Sequence, residues 1–162
     1  MVKKNINMKG GYQMLVKEIM NRDVITVTEE NTVEDVIKLL LEHNISGVPV
    51  INEEKKVVGI VTEGDIIFRS KKLQIPTYFT ILDSYIFLES TKNFENDLKK
   101  MVAYKVTDIM TKKVFTVEQE ATIEDIATLM TTKKINRIPI VDKGVLVGIV
   151  SRRDIIKAYA KE

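Results

Sequence analysis

The chain contains no cysteine and no tryptophan, a single histidine, three prolines and seven glycines in 162 residues. Without cysteine there are no disulfides, thiolate nucleophiles or cysteine-ligated zinc sites, and one histidine does not furnish a multi-histidine metal centre. A Ser-His-Asp triad would have to pass through His43. That residue stands at the end of a predicted helix, where a cation is favourable in itself, so no ligand role is assigned to it. Charge of one sign is also missing. The 25 basic and 23 acidic residues leave a formal net charge of +2, well short of a polybasic nucleic-acid binder, and the lysines do not alternate with exposed aromatics. No apolar run approaches the roughly 18 residues of a membrane span. The polar amino terminus, with Gly10 and Gly11, lacks an apolar signal core, so the expectation is a cytoplasmic protein without membrane attachment. Nothing looks catalytic: there is no Walker loop and no metal-ligand cluster.

What the chain does have is itself, twice. Glu18-Ile19-Met20 returns as Asp108-Ile109-Met110, Thr26-Val27 as Thr116-Val117, Thr32-Val33-Glu34-Asp35 as Thr122-Ile123-Glu124-Asp125, and Val48-Pro49-Val50 as Ile138-Pro139-Ile140, all at an offset of 90 residues. Beyond a turn one residue shorter, Val58-Gly59-Ile60-Val61-Thr62 returns as Val147-Gly148-Ile149-Val150-Ser151 and Asp65 as Asp154, at an offset of 89. A fixed order of matches is the signature of an internal repeat.

Each copy reads the same way locally. A short extended stretch (24–27; 114–117) leads to Thr32 or Thr122, a helix cap with an acidic residue three positions on. Val33, Val36, Ile37, Leu40 and Leu41, matched by Ile123, Ile126, Ala127 and Met130, then fall on one helical face. A short apolar run passes through Pro49 or Pro139, which lacks a ladder N–H and so belongs at a strand start or edge. After a polar turn, a second apolar run leads directly into a second helix from Asp65 or Asp154. Each copy is therefore a β-α-β-β-α unit of roughly 55 residues, a size at which a lone core is marginal, and two should bury their apolar faces together. The methionines read as core filler. Residues 70–105 differ in composition: Tyr78, Phe79, Tyr85, Phe87, Phe94 and Tyr104 lie there, and Phe94, Leu98, Met101 and Val102 have helical spacing. This stretch reads as a packed, partly helical connector, or else as a dimer or partner surface.

The doubled unit, with Met20 and Met110 near its start, apolar-Pro-apolar strands and Gly-Ile-Val-Thr/Ser-x-x-Asp, resembles a tandem pair of CBS domains, named for cystathionine β-synthase. The expected organisation is an α/β fold of two such motifs, 16–69 and 106–159, related by a pseudo-twofold axis. Residues 1–15 precede them as an extension, 70–105 connect them, and 160–162 form a tail. The resemblance implies a regulatory module that works by binding, not catalysis. It requires no cofactor and takes an adenine nucleotide (AMP, ADP or ATP) or an adenosyl compound such as S-adenosylmethionine as effector, in clefts between the repeats. It also implies a homodimer and an unidentified protein target. The alternative is an oligomerisation or scaffold module with empty clefts that acts on a partner by protein contact.

The resemblance assigns the ribose to Asp65 and Asp154, and a ribose or phosphate contact to Thr62 and Ser151. A carboxylate accepts from both vicinal ribose hydroxyls at once, and the strand glycine would let a flat ligand come close. Backbone and apolar walls near Thr26, Val27, Thr116 and Val117, and beside Pro49 and Pro139, would hold adenine. A plainer reading accompanies this one, because a hydroxyl and a carboxylate three residues apart are also what a helix start wants for its own sake. The two motifs differ in charge: Arg137, Arg152 and Arg153 stand where the first copy has Gly47, Glu63 and Gly64, which favours phosphate only at the second.

Overall fold

The computed structural model describes residues 13–68, 78–81, 84–87 and 104–160. It is a mixed α/β structure made of two compact units. Among the described residues no helix is long and apolar enough to cross a membrane, and no group of three or more His, Cys, Asp or Glu could hold a metal ion.

One unit contains residues 13–26, the turn Ile51–Val58 and residues 113–160. Its sheet has three strands in the order β5-β6-β7, where β5 is Val117–Glu118, β6 Arg137–Asp142 and β7 Val145–Ser151. The first pair is parallel, with Val117 opposite Ile140. The second is antiparallel, with Arg137 opposite Ser151 and Pro139 opposite Ile149, and its register shifts at Ile140/Val141. Helices α4 (Ile123–Lys133) and α5 (Arg152–Tyr159) pack against each other. The core is the apolar stripe anticipated from periodicity, Ile123, Ile126 and Met130, closed by Ile138, Ile140, Val150, Ile155 and Ala158.

Two further core residues, Val16 and Met20, come from the segment that opens the first repeat. A short 3-10 turn, Val16–Glu18, is tied down by Val16 N–H to the Ala121 carbonyl at 2.9 Å. Asn21 and Ile149 then exchange both backbone hydrogen bonds, at 3.0 and 2.9 Å.

The other unit repeats this arrangement with the roles of the repeats reversed. It contains residues 27–50 and those described from Gly59 to Lys112. Here α1 (Val33–Glu42) and α2 (Glu63–Phe68) pack together, and β1 (Gly47–Ile51) pairs with β2 (Val57–Thr62). The extended stretch before α1 contributes only a parallel bridge of Val27 to Val50. Val33, Val36, Leu40, Val48, Val50 and Val61 are buried with Val106 and Ile109, which belong to the opening segment of the second repeat. That segment forms α3 (Val106–Ile109). Thr111 exchanges both backbone bonds with Ile60, at 2.9 and 3.1 Å, as Asn21 does with Ile149.

The compact units are therefore not the contiguous sequence repeats. Each joins the body of one repeat to the opening segment of the other. Within the connector, β3 (Tyr78–Ile81) and β4 (Ser84–Phe87) form an antiparallel hairpin. The helix expected around Phe94 to Val102 lies outside the described residues.

Candidate functional site

The second helix of each repeat begins at the last residue of a strand, and the two candidate motifs stand at these junctions. At the second, the Ser151 backbone N–H and hydroxyl both donate to Oδ2 of Asp154, at 2.8 and 2.6 Å. At the first, the Thr62 N–H and hydroxyl donate to Oδ2 of Asp65, both at 2.8 Å. All four residues are half-buried. The other carboxylate oxygen, Oδ1, makes no hydrogen bond among the described residues.

The plainer capping reading can be compared directly, because the first helices carry the same residue pattern. At Thr32 and Thr122 the hydroxyl accepts from the Asp35 or Asp125 N–H, at 3.1 Å in both, while the carboxylate takes the threonine N–H in return. That reciprocal box satisfies a helix end by itself. It also acts on the charge: the Thr32 N–H, then its hydroxyl and the Asn31 amide, hold the Asp35 carboxyl below the ordinary aspartate value of 3.8. Ser151 shares the carboxylate half of that box, its N–H and hydroxyl both donating to Asp154 as those of Thr122 do to Asp125.

The neighbouring elements bring some of the remaining candidates to the same junctions. The N–H of Arg152 donates to the Asn136 carbonyl at 3.0 Å, and Arg137 lies across the strand pair from Ser151, so Arg137, Ser151, Arg152 and Asp154 form one group. Pro139 follows two residues along β6, and Val117 pairs beside it with Ile140. In the other unit the Glu63 N–H donates to the Ser46 carbonyl at 3.1 Å, and Val27 is fixed near Pro49 by a bond from its N–H to the proline carbonyl, also 3.1 Å. Two candidates are less tied in. Thr26 is assigned to the unit opposite from Val27, and Thr116 is exposed ahead of β5.

One expectation is corrected. The strand glycines do not leave room for a flat ligand. A Cβ on Gly148 would stand 2.5 Å from the Met20 sulfur, and one on Gly59 equally close to the Met110 sulfur. The space over each glycine is filled by the opening methionine of the other repeat, which makes Met20 and Met110 specific packing partners and more than general filler. Their signal was present in the sequence as a methionine and a glycine each recurring once per repeat.

The family model of the CBS domain matches the chain over residues 16–72 and again over 106–161. An uncharacterised protein of Methanocaldococcus jannaschii is 38% identical and matches 96% of this chain and 95% of its own length. The chloroplastic CBS domain-containing protein CBSX1 of Arabidopsis thaliana is 30% identical over 88% of this chain and 63% of its own. Among solved structures, CBSX2 in complex with AMP superposes with a TM-score of 0.75 at 26% identity, covering 91% of this chain and 97% of that one. The CBS domain pair of protein MJ0100, in complex with 5'-methylthioadenosine and S-adenosyl-L-methionine, gives 0.69 at 25% identity over 92% and 98%.

Proposed function

The chain belongs to the CBS domain family and carries the domain twice, and from that premise we propose that it is a regulatory module that binds adenosine-containing ligands and transforms none of them. The observation that carries this is the state of Asp65 and Asp154. Each is half-buried at a strand–helix junction with one oxygen committed to Thr62 or Ser151. Each has a second oxygen available to the vicinal hydroxyls of a ribose. AMP, S-adenosylmethionine and methylthioadenosine in the related structures share that ribose. A ligand that fits one arrangement of the protein better than another shifts the population towards it and alters the surface offered to a partner.

Isothermal titration with AMP, ATP and S-adenosylmethionine tests the reading, together with Asp65→Ala and Asp154→Ala. Binding that disappears with one or both substitutions supports it. If no adenosine compound binds or raises the melting temperature, the reading is refuted in favour of the scaffold alternative.

The scaffold and homodimer readings have their own observation. Ile67 on α2 and Ile156 at the matching position of α5 are each 68% exposed, and Leu41 on α1 is 77% exposed. Large apolar groups at equivalent exposed positions suit a surface that a second copy or a partner covers. Sedimentation velocity of the wild type and of Ile67→Asp with Ile156→Asp distinguishes a dimer held by these helices from a monomer.

A further inference from the structure

The two Thr/Ser-x-x-Asp junctions share one backbone pattern and carry opposite charge. In both, the first helical N–H donates to a carbonyl two residues or more ahead of the proline strand's centre, Glu63 to Ser46 and Arg152 to Asn136. In both, N–H and hydroxyl of the preceding residue donate to Oδ2 of the aspartate. Even the left-handed residue closing the first helix is matched, Asn44 at φ 49° and Lys134 at φ 54°. At the second junction Arg137 lies across the strand pair from Ser151, and Arg152 and Arg153 open the helix that carries Asp154, three cations and one carboxylate. The matching positions at the first junction are Gly47, Glu63 and Gly64, with Asp65, so that these positions hold two carboxylates and no cation.

Local stability accounts for the first set and not for the second. Glu63 and Asp65 in the first turn of α2 agree with the helix dipole. Arg152 and Arg153 open α5, where the same dipole disfavours cations, and both are exposed, so no packing compensates. Two arginines placed against the dipole, with a third across the strand pair from Ser151, fit an anion that the junction receives. Arg137 is half-buried and already makes an interaction within the protein.

The geometry points to a pair of junctions that sort adenosine ligands by charge: the Ser151/Asp154 junction takes an adenosine phosphate, and the Thr62/Asp65 junction takes an adenosine compound without phosphate, uncharged or sulfonium. This rests on the adenosine reading proposed above and assigns a ligand class to each junction. A phosphate monoester carries nearly two negative charges at neutral pH. Arginine forks match its oxygens, whereas Glu63 repels it.

Reciprocal exchange at the matched exposed positions tests the sorting, with Arg152→Glu and Glu63→Arg each titrated calorimetrically with AMP and with methylthioadenosine. Circular dichroism melts establish that both variants are folded. Arg152→Glu should weaken AMP on the order of tenfold in low salt, less in 0.5 M salt, and leave methylthioadenosine within about twofold. Glu63→Arg should strengthen AMP binding at the first junction by a similar factor. Unchanged AMP affinity in either variant, or an equal loss of both compounds in Arg152→Glu, overturns the sorting alone. A wild-type protein that binds neither compound overturns the sorting together with the adenosine reading beneath it.

Discussion

Replacing Gly148 by alanine should detach the opening segment of the first repeat from the body of the second. The new Cβ would lie 2.5 Å from the Met20 sulfur, 2.9 Å from its Cγ and 3.2 Å from the Asn21 carbonyl oxygen. Met20 is buried against a close-packed core, so its side chain has no free direction in which to move. The Asn21 oxygen is held in turn by the Ile149 N–H at 2.9 Å. Overpacking of this kind costs about 1–3 kcal/mol. The backbone contact places Gly148→Ala towards the upper end, a fall in Tm of roughly 4–10 °C for a chain of this length. Gly59→Ala should cost less, because its near neighbours are all side-chain atoms of Met110.

The cause can be isolated with Met20→Ala, which removes both Sδ and Cγ. Alone it should cost about 2–5 kcal/mol by leaving a cavity. In its presence, however, Gly148→Ala should become cheaper by about 1–2 kcal/mol, a coupling typical of residues in contact. Urea unfolding followed by far-ultraviolet circular dichroism measures all four proteins of the cycle. A Gly148→Ala cost that is the same with and without Met20 would refute the reasoning.

Further expectations concern the helix cap and the core. Because the Asp35 carboxyl lies below its ordinary 3.8 in the folded chain, the stability it contributes is fully present above that value and is lost as pH falls through the lower folded one. Asp35→Asn should therefore lower Tm at pH 7, and the deficit should shrink below pH 3.8 in melts followed across that range. Ile126, fully buried in α4, should cost about 2–5 kcal/mol when cut to alanine, whereas Ile156, largely exposed on α5, should change monomer stability by no more than about 0.5 kcal/mol in the same urea titration.

The helices were legible because their signals are local. Thr32 with Asp35 and Thr122 with Asp125 mark two starts within four residues, and the stripes at Val33-Val36-Leu40 and Ile123-Ile126-Met130 identify the buried face. The grouping of Arg137 with Ser151 was less legible, since it depends on strand register across β6 and β7. Gly59 and Gly148 were legible as positions needing close approach, but not in what approaches them. A missing Cβ states that something is near and does not identify a ligand or a methionine.

The sequence by itself determined the duplication, the fold class and the position of each candidate carboxylate at a helix start, because periodicity, capping and repeat order are properties of neighbouring residues. Only the tertiary structure decided which opening segment packs on which body. Met20 and Met110 are chemically identical, as are Gly59 and Gly148, so pairing within a repeat and pairing across repeats satisfy the same local preferences. The difference lies in backbone bonds between distant segments, Asn21 with Ile149 and Thr111 with Ile60, which no local pattern encodes. The absence of cysteine and the near-absence of histidine excluded chemistries from the outset; the tertiary structure showed that two of the glycines, Gly59 and Gly148, serve the packing of one repeat's opening segment on the other's body.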